Sequence, residues 1–119
     1  MCYDNIYQLS EDLGNFDASI LAAILLHTNN PLKIIYECAK RSKTIIIVDF
    51  YQEHLEGRPI CQLCPSVVNQ CWDTWWFFST DFFIEFLKVL GFNKITVSIH
   101  KQIYMNSISQ PLFTLIASV

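Results

Sequence analysis

Four groups of side chains in this sequence are of types that do chemistry. Cys61 and Cys64 form a Cys-x-x-Cys pair, and Cys71 and His54 could complete a tetrahedral zinc site with them. The flanking spacings match no standard finger, and the neighbours are apolar. His27 is a histidine directly after an apolar run, and an imidazole there can accept a proton from a substrate near neutral pH. The plainer role for it is to hydrogen-bond backbone and shape the turn. Asp73, Trp75 and Trp76 set a carboxylate beside two aromatic faces, which attract cationic groups. The bland alternative is an aromatic lid over the core. Ala22 and Ala23 close a strand-like run with small side chains that let a ligand approach, or else serve simple packing.

Those residues need strands and helices to hold them. Ala18–Leu25 is apolar on both faces, which predicts a central parallel strand. Asn30 caps the following helix and Pro31 suits its first position, where the missing N–H needs no partner. That helix runs over Pro31–Arg41. Leu32, Ile35 and Ala39 make its buried stripe, widened by Ile34 and Cys38, with Lys33, Glu37, Lys40 and Arg41 outside. Thr44–Asp49 is a β-branched buried strand. Phe50–Trp72 is a long irregular segment holding Gly57, Pro59 and Pro65, of the length that usually carries function. Ser79 caps a second helix with Asp81 in its first turn and Phe83, Phe86, Leu87 and Leu90 on its buried side. Gly91 supplies the left-handed cap and Phe92 folds back on the last turn. Lys94–His100 alternates, with Ile95, Val97 and Ile99 on one face. Leu112–Val119 is another strand. The short connection through Asn106 and Pro111 makes these two an antiparallel pair.

Composition bounds the setting. The 119 residues predict a single domain over 1–119. With 52% hydrophobic and 16% charged residues, the chain is more apolar than an ordinary soluble domain, so a partner or neighbouring domain is expected to bury the excess. The net charge of -3, with no basic cluster beyond Lys40, Arg41 and Lys43, excludes nucleic-acid binding by a basic face. No apolar run reaches the ~18 residues of a membrane span, and no signal peptide is evident. The odd count of 5 cysteines fits reduced thiols in the cytoplasm.

A nucleotide-binding α/β protein ordinarily opens with a strand, a glycine-rich turn and a helix. This sequence enters that pattern halfway. Asn5-Ile6-Tyr7-Gln8-Leu9, Gly14-Asn15-Phe16-Asp17 and Ile24-Leu25-Leu26-His27-Thr28-Asn29-Asn30-Pro31 occur in that order. With Thr74-Trp75-Trp76-Phe77-Phe78-Ser79 and Leu90-Gly91-Phe92, they make the chain resemble the C-terminal half of a class I S-adenosylmethionine-dependent methyltransferase. The resemblance implies an α/β fold: a partial Rossmann-like sheet of parallel strands with a C-terminal antiparallel hairpin, and helices on the faces. It implies S-adenosylmethionine as cofactor, with Asn5 giving a polar contact and Ile6 an apolar wall at the adenine, and Ala22 and Ala23 beside the cofactor. It implies Asp73, Trp75 and Trp76 near the acceptor pocket and no metal in the reaction; His27, at the end of the same strand, is the candidate catalytic base.

The expectation is thus a methyltransferase-like chain lacking the N-terminal cofactor-binding strands, whose parent activity methylates a small molecule or a modified nucleoside. It is expected to be inactive alone, or active with a partner supplying those strands. The flank of the first strand then invites pairing, which predicts a homo-oligomer or a partner chain over that edge. The alternatives are a non-catalytic interaction module on the same scaffold, and a small zinc-binding protein.

Overall fold

The computed structural model describes residues 2–103 and 109–119. Its elements run β1 (Phe16–Ala22), α1 (Pro31–Ala39), β2 (Ser42–Phe50), β3 (Cys61–Leu63), β4 (Trp76–Phe78), α2 (Thr80–Val89), β5 (Lys94–Ile103) and β6 (Ser109–Ser118). The main sheet has the order β1-β2-β6-β5. β1 and β2 are parallel, while β6 is antiparallel to both β2 and β5. This is the expected arrangement of parallel strands with an antiparallel hairpin. Asn106 lies outside the described residues. Pro111 sits inside β6, where its carbonyl accepts the Tyr51 N–H.

β1 is shorter than its apolar run and stands at the end of the described sheet. Ala23 turns into the left-handed region, with φ 51, so the strand stops at Ala22. The Ala23 N–H still donates to the Val48 carbonyl. Leu25–His27 then forms a short 3-10 turn that buries Leu25 and Leu26.

Pleating sends alternate strand residues to opposite faces. Leu21, Ile45, Ile47, Phe113, Leu115 and Ala117 form one core with Ile34, Ile35 and Cys38 of α1 and Phe83 and Leu87 of α2. Both helices therefore pack on the same face. Ile20, Ile46 and Ile116 lie side by side in register and point the other way. Ile20 is 66% and Ile116 41% exposed, so an apolar row crosses an uncovered face. The β5 alternation is present, but that strand is also an outer one and Ile99 is 57% exposed.

The helix ends behave as their sequences dictate. The Asn30 side chain accepts the Lys33 N–H, and Ser79 Oγ accepts the Phe82 N–H. Gly91, at φ 95, lets the Phe92 N–H reach the Leu87 carbonyl, closing α2 as a left-handed cap does. The α1 stripe is rotated from expectation: Ile34, Ile35 and Cys38 are buried, whereas Leu32 is exposed. Glu37 also departs from its expected outward place and is 1% exposed. The cause is the N-terminal segment, which folds over α1 so that the Leu9 N–H donates to Glu37 Oε2. Lys33 and Lys40 close on Oε1 at 3.0 and 2.7 Å.

The Phe50–Trp72 segment is less irregular than its composition suggests. It contains a 3-10 turn at Glu53–Leu55 and β3, which pairs antiparallel with β4 through Cys61–Phe78, Gln62–Phe77 and Leu63–Trp76.

Candidate site at the carboxyl ends of β1 and β2

Ligands of open α/β sheets bind outside the carboxyl ends of the strands. Here those ends are Ala22 and Asp49-Phe50. Ala22 and Ala23 are both exposed there. The 3-10 turn carries His27 over the same end, and the strap before β4 is tied down beside it. His27 Nδ1 donates to the Asp73 carbonyl, and the Trp75 N–H donates to the Leu26 carbonyl at 2.6 Å. A ring nitrogen facing a carbonyl must carry the proton. That leaves Nε2 as the ring nitrogen on which a general base would carry its lone pair.

The strap is internally braced. Asn69 Nδ2 donates to the Cys64 carbonyl and Asn69 Oδ1 accepts the Cys71 N–H, while the Cys64 N–H donates to the Trp75 carbonyl. The Cys71 thiol donates to Asp73 Oδ1 at 3.3 Å. That bond, with backbone N–H groups and the charge of His27, holds the Asp73 carboxyl below its usual range. Trp76 belongs to β4, packs on the core, and buries an indole N–H without a partner.

Asn5 and Ile6 lie on a separate turn. Asn5 Oδ1 accepts the Tyr7 N–H and its carbonyl accepts the Gln8 N–H. Ile6 packs against the core. The Tyr7 hydroxyl donates to Asn29 Oδ1 at 3.3 Å, which pins this turn to the loop after β1. The structure thus brings His27, Ala22, Ala23, Asp73 and Trp75 to one end of the sheet and joins the Asn5–Ile6 turn to it through Asn29.

Sequence reasoning missed Asp49. It follows Ile45 and Ile47 on the helix-covered face, pairs across the sheet with Phe113, and is 3% exposed. Its Oδ1 accepts the Phe50 N–H, while Oδ2 is buried with no partner. Burial pushes the carboxyl up to about 6, against the backbone bond to Phe50 and the charge of His27, which lower it. An acidic residue ending a strand of apolar ones was the available signal.

The zinc alternative finds no gathered ligands. Among the described residues, no three His, Cys, Asp or Glu side chains are grouped to hold a metal. His54 bonds Gln62 Oε1, and the Cys61 and Cys64 thiols are pushed up by burial. A polar groove of about 760 Å³ runs between the N-terminal segment and α1, lined by Asp4, Glu11, Glu37, Lys33, Lys40 and Arg41. Its charges balance, and it includes none of the residues at the strand ends.

Solved structures share this arrangement. The N-terminal domain of EvdMO1, in the presence of SAH and D-fucose, aligns with a TM-score of 0.65 and 18% identity over 98% of this chain. The fold is that of a Rossmann-like methyltransferase. A SAM-dependent methyltransferase from Methanosarcina mazei aligns with the methyltransferase-like fold at a TM-score of 0.64 and 18% identity, over 97% of the chain. The methyltransferase domain of bacterial CtHen1 aligns at 0.56 and 10% identity, over 98% of the chain. The chain spans 53%, 64% and 59% of these three. No family model and no curated protein matches its sequence.

The SAH bound in the EvdMO1 structure carries an amino-acid portion, a ribose and an adenine, each of which needs a wall. The small, exposed Ala22 and Ala23 leave room for one side of such a ligand. The chain's glycines are Gly14, Gly57 and Gly91, and none lies in the turn directly after β1 or β2. The residues present would line one side of such a site. Among the described residues, no glycine-rich turn forms the other.

Proposed function

We propose that this chain forms the acceptor-side part of an S-adenosylmethionine-dependent methyl-transfer site. The observation that carries the reading is the His27 ring, fixed through Nδ1 to Asp73 at the carboxyl end of β1, on a fold shared with structures solved with SAH bound. When bound, the cofactor supplies a methyl group on a sulfonium sulfur. Ala22 and Ala23 leave space beside it, and Asn5 and Ile6 stand at its adenine. Trp75 walls the acceptor with Asp73, while Trp76 backs the strap from the core. His27 Nε2 would take the acceptor's proton as the methyl carbon exchanges its bond to the sulfonium sulfur, which leaves as a neutral thioether, for a bond to the acceptor. The acceptor is a small molecule or a modified nucleoside.

The sheet face left uncovered by the described residues, and the side of β1 with no neighbour among the described strands, support a second component of the reading. The chain works with a second copy or a partner chain that covers them and completes the cofactor site. All five cysteines are free thiols, which suits the cytoplasm. The same open face supports a second reading, a non-catalytic interaction module on this scaffold.

Calorimetric titration with S-adenosylmethionine and S-adenosylhomocysteine tests the first reading. Micromolar binding is expected where the site is complete. A folded sample that binds neither at millimolar ligand, alone or as an oligomer, sinks the cofactor role and leaves the interaction module.

A further inference from the structure

Residues Asp4 to Ser10 form a closed unit. The Asp4 carboxylate accepts the Asn5 N–H through Oδ1 at 2.8 Å and the Ser10 N–H through Oδ2 at 2.7 Å, so one side chain ties both ends. Inside the unit, Asn5 takes the Tyr7 N–H on Oδ1 and the Gln8 N–H on its carbonyl. The Tyr7 hydroxyl seats one end of the unit on Asn29, beside the strand-end site. At the other end, Glu37 and Arg41 hold the backbone of Leu9 from both sides. Glu37 Oε2 accepts the Leu9 N–H at 3.3 Å, and Arg41 Nη2 donates to the Leu9 carbonyl at 3.2 Å. Arg41 Nη1 reaches on to the Gly14 carbonyl at 3.2 Å. An anion thus meets the N–H and a cation the carbonyl, and such charge-assisted bonds are stronger than neutral ones. A polar groove separates the segment from α1, so these bonds carry much of the attachment on that side.

We propose that Glu37 and Arg41 form a fork that seats the Asn5–Ile6 turn at the strand ends. They are positioning residues that act through Leu9. The inference rests on the reading of Asn5 and Ile6 as the adenine contact. Because Asp4 closes the unit, losing the grip at Leu9 releases it as one piece. The turn is then held by the packing of Ile6 and by the Tyr7–Asn29 bond, which at 3.3 Å is long for a hydroxyl donor.

NMR of the folded chain tests the fork without cofactor. Arg41→Met removes the guanidinium. Arg41→Lys keeps the charge but lacks the planar fork that spans two carbonyls. In both variants the Leu9 amide is expected to exchange about tenfold to a hundredfold faster than in the wild type, the equivalent of one hydrogen bond to a charged group. The signals of the Tyr7 ring and the Asn29 side-chain amide, at the far end of the unit, shift with it. The Tyr7 and Gln8 amides, bonded inside the unit, keep their rates. Those of Ile47 and Leu115 do too, which shows the sheet intact. Tyr7 and Asn29 signals that stay in place in both variants overturn the proposal, since a purely local role moves Leu9 alone. An Arg41→Lys variant indistinguishable from the wild type assigns the grip to charge and overturns the fork. Titration with S-adenosylhomocysteine follows, and its affinity is expected to fall about threefold to tenfold in the variants as the seated fraction falls. Equal affinities in wild type and variants overturn the positioning role. A wild type that binds none, with the Tyr7 and Asn29 shifts present, overturns the methyl-transfer reading and leaves the fork standing.

Discussion

His27 Nδ1 donates to the backbone carbonyl of Asp73, 46 residues further along the chain. One side chain on the turn after β1 thereby holds the strap that leads into β4. His27→Ala is expected to speed hydrogen exchange at the amides of Asp73, Thr74 and Trp75 about tenfold, the equivalent of one ordinary hydrogen bond. Amides of β2 keep their protection. Unchanged exchange at Trp75 would mean that its bond to the Leu26 carbonyl holds the strap by itself.

The buried carboxyl of Asp49 gives a signed pH dependence. Burial raises its carboxyl from 3.8 to about 6, so the native state binds the proton more tightly than the unfolded chain. Stability contributed by the protonated form is present in acid and lost as pH rises between those two values. Asp49→Asn lacks this loss. Equilibrium unfolding is expected to show the variant gaining about 1 to 3 kcal/mol on the wild type between mildly acidic solution and pH 7. Parallel stability curves would show the carboxyl to be solvated.

Glu37 has the opposite sign. Bonds from Lys40 and Lys33 lower its carboxyl from 4.5 to about 2. The stability it contributes is present above the unfolded value and vanishes as pH falls through the folded one. Glu37→Gln is expected to melt about 2 to 5 °C below the wild type at pH 7. The gap closes between those two pH values. A gap unaltered by acid would assign the effect to packing of the N-terminal segment rather than to charge.

Much of the local structure was legible because its causes are local. Asn30 and Pro31, Ser79, and Gly91 with Phe92 each act on backbone within a few residues. Most of the misreadings involve distant chain. Glu37 looked like a solvent residue because its burial depends on Leu9, and the α1 stripe shifted with it. β3 and β4 have three residues each and exist through pairing with one another across the strap. The apolar run at Ala18–Leu25 overstated β1, since Leu25 and Leu26 are buried by a turn rather than by the sheet. At the site, His27 and Asp73 were visible as separate residues, while their bond was not. Asp49 was hidden because a strand's last polar residue ordinarily faces water.

Ile20, beside Ile46 and Ile116 on the uncovered face, ties oligomerisation to one position. Sedimentation is expected to show the wild type as a dimer or larger species, and Ile20→Lys as predominantly monomer with unchanged circular dichroism. A charge at that site puts an unpaired ammonium into any apolar contact. A wild type that sediments as a monodisperse monomer would remove the case for a partner on this face.

The strand order carries a further meaning for how the molecule comes into being. β6 lies between β2 and β5, although it follows both in the chain. Among the described strands it is the only neighbour β5 has. During synthesis β5 therefore emerges before its partner among the described strands, and β2 is without its β6 neighbour for the same interval. The nascent chain can settle α1 on β1 and β2, but the sheet closes in its middle, when the strand from Ser109 to Ser118 slots in. A ribosome stalled before Ser109 would hold the β1–β2 pair and a lone β5, and chaperones would meet their apolar rows before the fold does.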